Sequence, residues 1–341
     1  MNNFKNSDFL KNRLIPTFLL AFCFIFVLIV FRLSFFNAQN WSSYSFLSIR
    51  IVSILIYFIL AFLAFYELSK AFVEYKIYSF LLTLIICVNL FLGPDYFRFL
   101  FYQIKLNNFS YEKLFNLLYS DIFLYLLILF DICIFILIRL ITIKNINYKY
   151  LFLKAVVFGV FIFILTIFWK TFIFLNTQKS GLIYNIGIVL ITSCSDTGGY
   201  LAGNFLPKTF LPQKIAPGIS PNKTWRGLLG SVIFSIFAAF IFIICSHFID
   251  SYSKVDSFSW FNILFGLEEK NTFQTKISII LFTFTIPFIA TIGDLLFSMI
   301  KRWTGIKDFS KIFKGHGGFL DRLDSISVVY FIFSLIALNF V

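Results

Sequence analysis

Two short stretches of an otherwise apolar chain carry the residues that could do chemistry. One begins at the end of a long hydrophobic run, in ATIGDLLFSMIKRW. Asp294, Ser298 and Lys301 stand there at i, i+4 and i+7, which puts them on one face if the run is helical. A carboxylate at the edge of an apolar span is costly unless it is paired, bound to a cation or open to a wet cavity. An interfacial Asp294 paired with Lys301 is the simpler alternative. The chain continues through Arg302, Lys307 and Asp308 into KGHGGFLDRLDS. Gly315, Gly317 and Gly318 allow a sharp turn or a close approach to a ligand. Asp321 and Asp324 lie three apart, on one face of any helix that starts there, and a helix N-terminus favours anions. Carboxylates hold Mg2+ through oxygen, usually together with substrate phosphates. Lys and Arg, here Lys301, Arg302, Lys307 and Arg322, neutralise those phosphates. Together they are the equipment of metal-assisted phosphoryl or nucleotidyl transfer. A positively charged loop whose acids only balance it is the bland alternative. His316 is equally well a general base near neutral pH or a hydrogen-bonding loop residue.

A second stretch reads SCSDTGGYLAGNF and, a little later, SPNKTWRG. Asp196 sits inside an apolar run beside Gly198, Gly199 and Gly203, which suggests close helix packing around a polar cavity. Ser220, Pro221 and Asn222 predict a turn, after which Lys223 and Thr224, with Ser220, offer an ammonium and hydroxyls to phosphates. That segment alone is weak, because such a pattern arises often by chance. Asp131 is isolated in its apolar run. It reads as a bundle-facing structural residue, with a proton relay as the alternative.

The elements that position these residues must lie in lipid. Of 341 residues, 60% are hydrophobic and 13% charged, and the mean hydropathy is +0.89. A soluble domain is nearer a quarter charged. Nine runs predict transmembrane helices, at 15–34, 48–66, 78–93, 121–142, 151–175, 182–203, 228–249, 277–298 and 325–341. The basic N-terminus (Lys5, Lys11, Arg13) leads into the first of them rather than into a cleaved leader. With a cytoplasmic N-terminus, 19 of the 29 Lys and Arg residues fall on the cytoplasmic side, most densely at 204–227 and 299–324. The chemistry-bearing loops are the same two segments. Residues 1–180 then form a scaffold and 181–341 the catalytic region. The net charge of +13 suits an anionic leaflet and a polyphosphate substrate and requires no nucleic acid. Cys23, Cys87, Cys133, Cys194 and Cys245 lie in apolar runs without a CxxC and read as buried free thiols.

The stretch SMIKRWTGIKDFSKIFKGHGGFLDRLDS resembles the signature of the phosphatidate cytidylyltransferases, the CDP-diacylglycerol synthases. SDTGGYLAG and SPNKTWRG resemble two further segments of that family, in the expected order. The resemblance covers about 190–325. It implies an all-α polytopic membrane enzyme of the cytoplasmic membrane, with its active site facing the cytoplasm. The implied reaction joins CTP and phosphatidic acid to give CDP-diacylglycerol and pyrophosphate, with Mg2+ and room for a second cation, and a homodimer as the assembly. It maps the metal-binding aspartates to Asp294 and Asp321, which are expected to share a cation. The signature serines map to Ser298 and Ser220. Further acidic positions map to Asp308 and Asp324, and basic ones to Lys301, Arg302, Lys307 and Arg322. Three positions depart from the pattern: Arg226 and Phe297 stand where the family usually has Glu, and Lys314 where Pro is common. Losing two carboxylates bears on metal stoichiometry and affinity.

Two rivals remain at the level of sequence. One is another CTP-dependent lipid enzyme, such as a polyprenol kinase or a different lipid cytidylyltransferase. The other is a transporter with Asp131, Asp196 and Asp294 as pathway acids. A transporter would be expected to show internal repeats, and none is seen.

Overall fold

The computed structural model describes residues 15–35, 43–93, 96, 100, 118–143, 147–177, 181–207, 209, 211–253, 273–312 and 317–337. These form nine helices and one hairpin. The helices are α1 (Ile15–Phe35), α2 (Ser43–Phe72), α3 (Lys76–Val88), α4 (Ile122–Thr142), α5 (Tyr148–Thr177), α6 (Gly181–Phe205), α7 (Trp225–Ser253), α8 (Phe273–Trp303) and α9 (Leu320–Ala337). The hairpin, β1 (Lys214–Ala216) and β2 (Ser220–Thr224), lies between α6 and α7. Each of the nine predicted runs falls on a helix, but the third helix ends at Val88, short of the predicted 93, and 338–341 of the ninth run lie outside the described residues. Among the described residues, five segments are long and apolar enough to cross a membrane: Tyr44–Phe72, Ile122–Thr142, Tyr148–Asn176, Trp225–Phe242 and Thr283–Trp303. Phe22–Phe35 and Lys76–Val88 are shorter apolar segments. The protein is a polytopic α-helical membrane protein.

The chain divides into two compact units. One comprises Met1–Leu106, Leu117–Thr177 and Thr304–Leu323; the other comprises Asn107–Asn116, Gln178–Trp303 and Asp324–Val341. In the first unit α5 is the central helix: its most apolar window is 61% buried, against 22% for α2 and 28% for α4. Phe158 of α5 packs on Phe72 of α2 and Phe135 of α4, with ring centroids 5.1 and 4.7 Å away. Tilted aromatic pairs at that range add to area burial. Asp131 is buried in the same unit and accepts a 2.6 Å hydrogen bond from Asn89 Nδ2. Its partner explains how lipid-side helices tolerate it, in keeping with a structural role.

In the second unit α6 lies close against α7 through small residues. A Cβ on Gly198 would come 2.6 Å from the Gly230 carbonyl, and one on Gly230 would come 2.5 Å from the Gly198 carbonyl. Small residues at such a crossing let backbones approach and van der Waals packing hold them. Gly198 and Gly199 therefore serve helix packing. A Cβ on Gly203 would meet nothing within 4 Å. The hairpin corrects the expected turn at Ser220–Asn222: the turn is at Pro217–Ile219, and Ser220–Thr224 is the returning strand. Pro221 is tolerated because a two-stranded ribbon is all edge. The Thr224 hydroxyl then accepts the Gly227 N–H at 3.3 Å and caps α7.

Helix α8 runs five residues past the predicted span, to Trp303, through Pro287. Lys301 and Arg302 occupy its last turn, where cations suit the helix dipole. Gly305, at φ +75°, follows its end. Among the cysteines, all five are free, but only Cys87 is buried; Cys23, Cys133 and Cys245 are exposed. Thiols in apolar runs need no protein cover when the outer surface of the helix faces lipid.

Candidate active site

The second unit gathers most of the chemistry-bearing residues. Lys223, presented by β2, places its Nζ 2.6 Å from Asp294 Oδ2 on α8. The same ammonium donates to the Thr291 carbonyl at 3.4 Å. Ser298, one turn below Asp294, donates to Asp294 Oδ1 at 3.2 Å. The predicted i, i+4 face is thus real, but the cation that pairs with Asp294 is Lys223 and not Lys301. Lys301 instead lies 4.0 Å from Asp324 Oδ2 on α9. Helix α9 reaches α8 because residue 293 is glycine: a Cβ there would lie 3.0 Å from the Asp324 carbonyl and 3.1 Å from Val328 Cβ. Ser325, beside Asp324, donates to Asp196 Oδ1 on α6 at 3.4 Å. Arg302 Nε donates to the Ile219 carbonyl at 3.4 Å, tying the end of α8 to the hairpin turn.

Four elements therefore contribute: α6 brings Asp196, β2 brings Lys223, α8 brings Asp294, Ser298 and Lys301, and α9 brings Asp324 and Ser325. The Asp294 and Lys223 side chains are 31% and 22% exposed. This pair can be reached from outside the protein and is not sealed in a core. Ser220 is half-buried at the start of β2, across the hairpin from Ala216. Thr224 spends its hydroxyl on the α7 cap. Among the described residues, no group of three or more His, Cys, Asp or Glu side chains could hold a metal ion.

The first unit holds the charged loop. Its acid Asp321 turns back on the loop rather than outward: Oδ2 accepts the Gly318 N–H at 2.8 Å and the Phe309 N–H at 3.0 Å. Gly317 has φ +83°, a left-handed conformation that lets the chain turn into α9. Lys307, Asp308 and Arg322 are exposed. His316 lies outside the described residues, with Lys314 and Gly315.

One residue here escaped the sequence reading. Glu67, near the end of α2, is 2% exposed. It accepts hydrogen bonds from Ser310 Oγ at 2.5 Å, Phe319 N at 3.0 Å and Leu320 N at 2.7 Å. The predicted second span ends at 66, one residue before Glu67, and no motif in the sequence singled that acid out. The signal was there: an acid where α2 runs on, helical and apolar, to Phe72. Ser325 was also missed, as the last letter of DRLDS. Of the departures from the family pattern, Phe297 is fully buried, a core side chain in place of a carboxylate. Arg226 donates through one Nη to the Leu206 carbonyl at 3.4 Å.

Several known proteins are similar to this chain over part of its length. A phosphatidate cytidylyltransferase of Haemophilus influenzae is 36% identical over 154 residues, 45% of this chain and 45% of that protein. One from Staphylococcus saprophyticus is 33% identical over 154 residues, 45% and 48% respectively. One from Staphylococcus aureus is 35% identical over 156 residues, 46% and 49%. The chain thus spans about half the length of the curated relatives it matches. The pattern of the Cytidylyltransferase family as a whole extends much further, over residues 11–340. A match of that length makes this chain a member of the Cytidylyltransferase family.

Proposed function

We propose that this protein transfers the cytidylyl group of CTP to phosphatidic acid, giving CDP-diacylglycerol and pyrophosphate. The observation that carries the reading is the Lys223–Asp294–Ser298 constellation, a carboxylate with a lysine and a serine at the end of an apolar helix. Family membership and the activity for which the relatives are named support it.

The lipid phosphate is already an anionic nucleophile. One of its oxygens attacks the α-phosphorus of CTP, and the bond to the β-phosphate oxygen breaks as pyrophosphate leaves. No strong base is needed; the barrier is repulsion between two polyanions. Lys223, Lys301, Arg302, Lys307 and Arg322 are the proposed phosphate-binding cations, together with the Ser220 hydroxyl as a further donor. Positioning and charge stabilisation then supply most of the rate. Lys223 would exchange its Asp294 partner for a phosphate oxygen, and Lys301 would do so from Asp324.

The donor set fits Mg2+. Asp294 offers carboxylate oxygens and Ser298, hydrogen-bonded to it, a hydroxyl, all hard ligands. Mg2+ asks for only one or two carboxylates when phosphates and water complete its shell. We assign Asp294 and Asp321 as its ligands on the family pattern rather than on their placement. When bound, Mg2+ would lower the charge on the triphosphate. Asp308 and Asp324 are proposed to orient the neighbouring cations. The protein would sit in the cell membrane with its N-terminus, 204–227 and 299–324 on the cytoplasmic side, where CTP is.

The test is an acceptor panel with purified protein in detergent and labelled CTP. Phosphatidic acid should yield a CDP-lipid, and a polyprenol should yield nothing. Label entering the polyprenol alone would replace this reading with the lipid-kinase rival.

A further inference from the structure

We propose that Glu67, on a helix the sequence reads as scaffold, is a positioning residue for the charged loop. It binds no substrate; its carboxylate fixes the loop backbone so that Lys307, Asp308 and Arg322 are presented to the nucleotide in one arrangement. The inference rests on the reading of the protein as a lipid cytidylyltransferase.

Three observations carry it. Glu67 is almost fully buried, and a carboxylate at that depth is costly unless hydrogen-bonded. Its three partners all belong to the loop, 243 to 253 residues further along the chain. Two of them are the N–H groups of Phe319 and Leu320 at the start of α9, where a negative charge also suits the helix dipole. The third observation is independent. A Cβ on Gly318 would lie 2.5 Å from Glu67 Oε2. A side chain at 318 would therefore push the Glu67 carboxylate off its loop donors, quite apart from any approach of a ligand.

Asp321 completes the arrangement from the other side, taking the Phe309 and Gly318 N–H groups. The loop is thus clipped at both ends, by Glu67 at 310 and 319–320 and by Asp321 at 309 and 318. Lys307 and Asp308 immediately precede the first clip, and Arg322 immediately follows the second. Loss of Glu67 removes the acceptor of the buried Leu320 N–H and of the part-buried Ser310 and Phe319 donors, and frees the loop from α2. A helix pair that needed only adhesion would be served by another Leu at 67, like its fully buried neighbour Leu68.

The experiment uses the full chain with its five cysteines replaced by serine and Lys311→Cys introduced on the exposed part of the loop. Two quantities are read: the rate of maleimide modification at 311 without substrates, and kcat and KM for CTP and phosphatidic acid. Glu67→Gln should speed modification about fivefold or more. It should lower kcat by roughly 10- to 100-fold, as small misplacements of positioned groups do, with the KM for phosphatidic acid within about twofold. Glu74→Gln, exposed on the turn after α2, should change neither quantity. Gly318→Ala should cost activity in the parent but little more in Glu67→Ser, where the methyl has room; that non-additivity marks direct contact. Unchanged modification and kcat in Glu67→Gln, or additive effects of Gly318→Ala and Glu67→Ser, would overturn the proposal. If Glu67→Gln does not purify folded, Ser310→Ala removes one donor only. It should raise modification about twofold, and an unchanged rate would count against the proposal. If the parent makes no CDP-lipid, the functional reading fails, while the modification rates still decide whether Glu67 holds the loop.

Discussion

The two units hold their carboxylates in different ways. In the second unit Asp294 and Asp324 face side-chain ammonium groups, Lys223 at 2.6 Å and Lys301 at 4.0 Å. In the first, Glu67 and Asp321 face backbone N–H groups and one hydroxyl. An ammonium on a flexible stem can leave a carboxylate for a phosphate, because both partners are mobile. A backbone N–H leaves only if the turn around it opens. The first kind of pair is therefore exchangeable and suited to substrates, whereas the second is architectural. Partly exposed ion pairs are worth about 1 kcal/mol or less in stability. Lys223 and Asp294 thus lose little when a phosphate or a cation separates them.

Asp294 and Asp321 make the sharpest test of this difference, since the family pattern gives both the same role. Asp294→Asn and Asp321→Asn should each lower turnover by roughly 100-fold or more, as loss of preorganised charge stabilisation does. They should part company in the loop. Asp321→Asn should also speed maleimide modification of Lys311→Cys, because the clip on Phe309 and Gly318 is weakened. Asp294→Asn should leave that rate unchanged. Equal loop exposure in the two variants would mean that Asp321 is not architectural.

A smaller effect is expected at Lys223. Lys223→Met should lower turnover by roughly 10-fold through loss of one phosphate contact. The same change should reduce the Mg2+ concentration needed for half-maximal rate, because the ammonium no longer competes for Asp294. A higher Mg2+ requirement in Lys223→Met would contradict exchange at this pair. The smallest effect belongs to Lys311→Ala. Its side chain is exposed and takes part in neither clip, so turnover should stay within about twofold of the parent. A dead Lys311→Ala would extend the phosphate-binding group along the loop.

Much of this was legible in the sequence, for a physical reason. Apolar runs in lipid are stable as helices, so each of the nine runs fell on a helix, although among the described residues five segments are long and apolar enough to span. The i, i+4 spacing of Asp294 and Ser298 likewise becomes a contact once the run is helical. Partners from distant segments were not legible. Nothing in SPNKT says that its lysine meets Asp294 rather than another acid, because a two-stranded hairpin, not a simple turn, aims it. Glu67 was lost for a boundary reason: the predicted span stopped one residue short, while α2 continues to Phe72. Phe297 shows the limit of pattern matching. Its place in the motif is one the family usually gives to Glu, yet its side chain is core.

The most direct test of the account follows the fate of each phosphorus of CTP. Purified protein in detergent with phosphatidic acid and Mg2+ would be given CTP labelled at the α-phosphorus or at the γ-phosphorus. The account predicts that α-label appears in the lipid as CDP-diacylglycerol and that γ-label is released as pyrophosphate, both at the same rate. Transfer of γ-label to a lipid, or no labelled lipid from folded protein with either nucleotide, would contradict it.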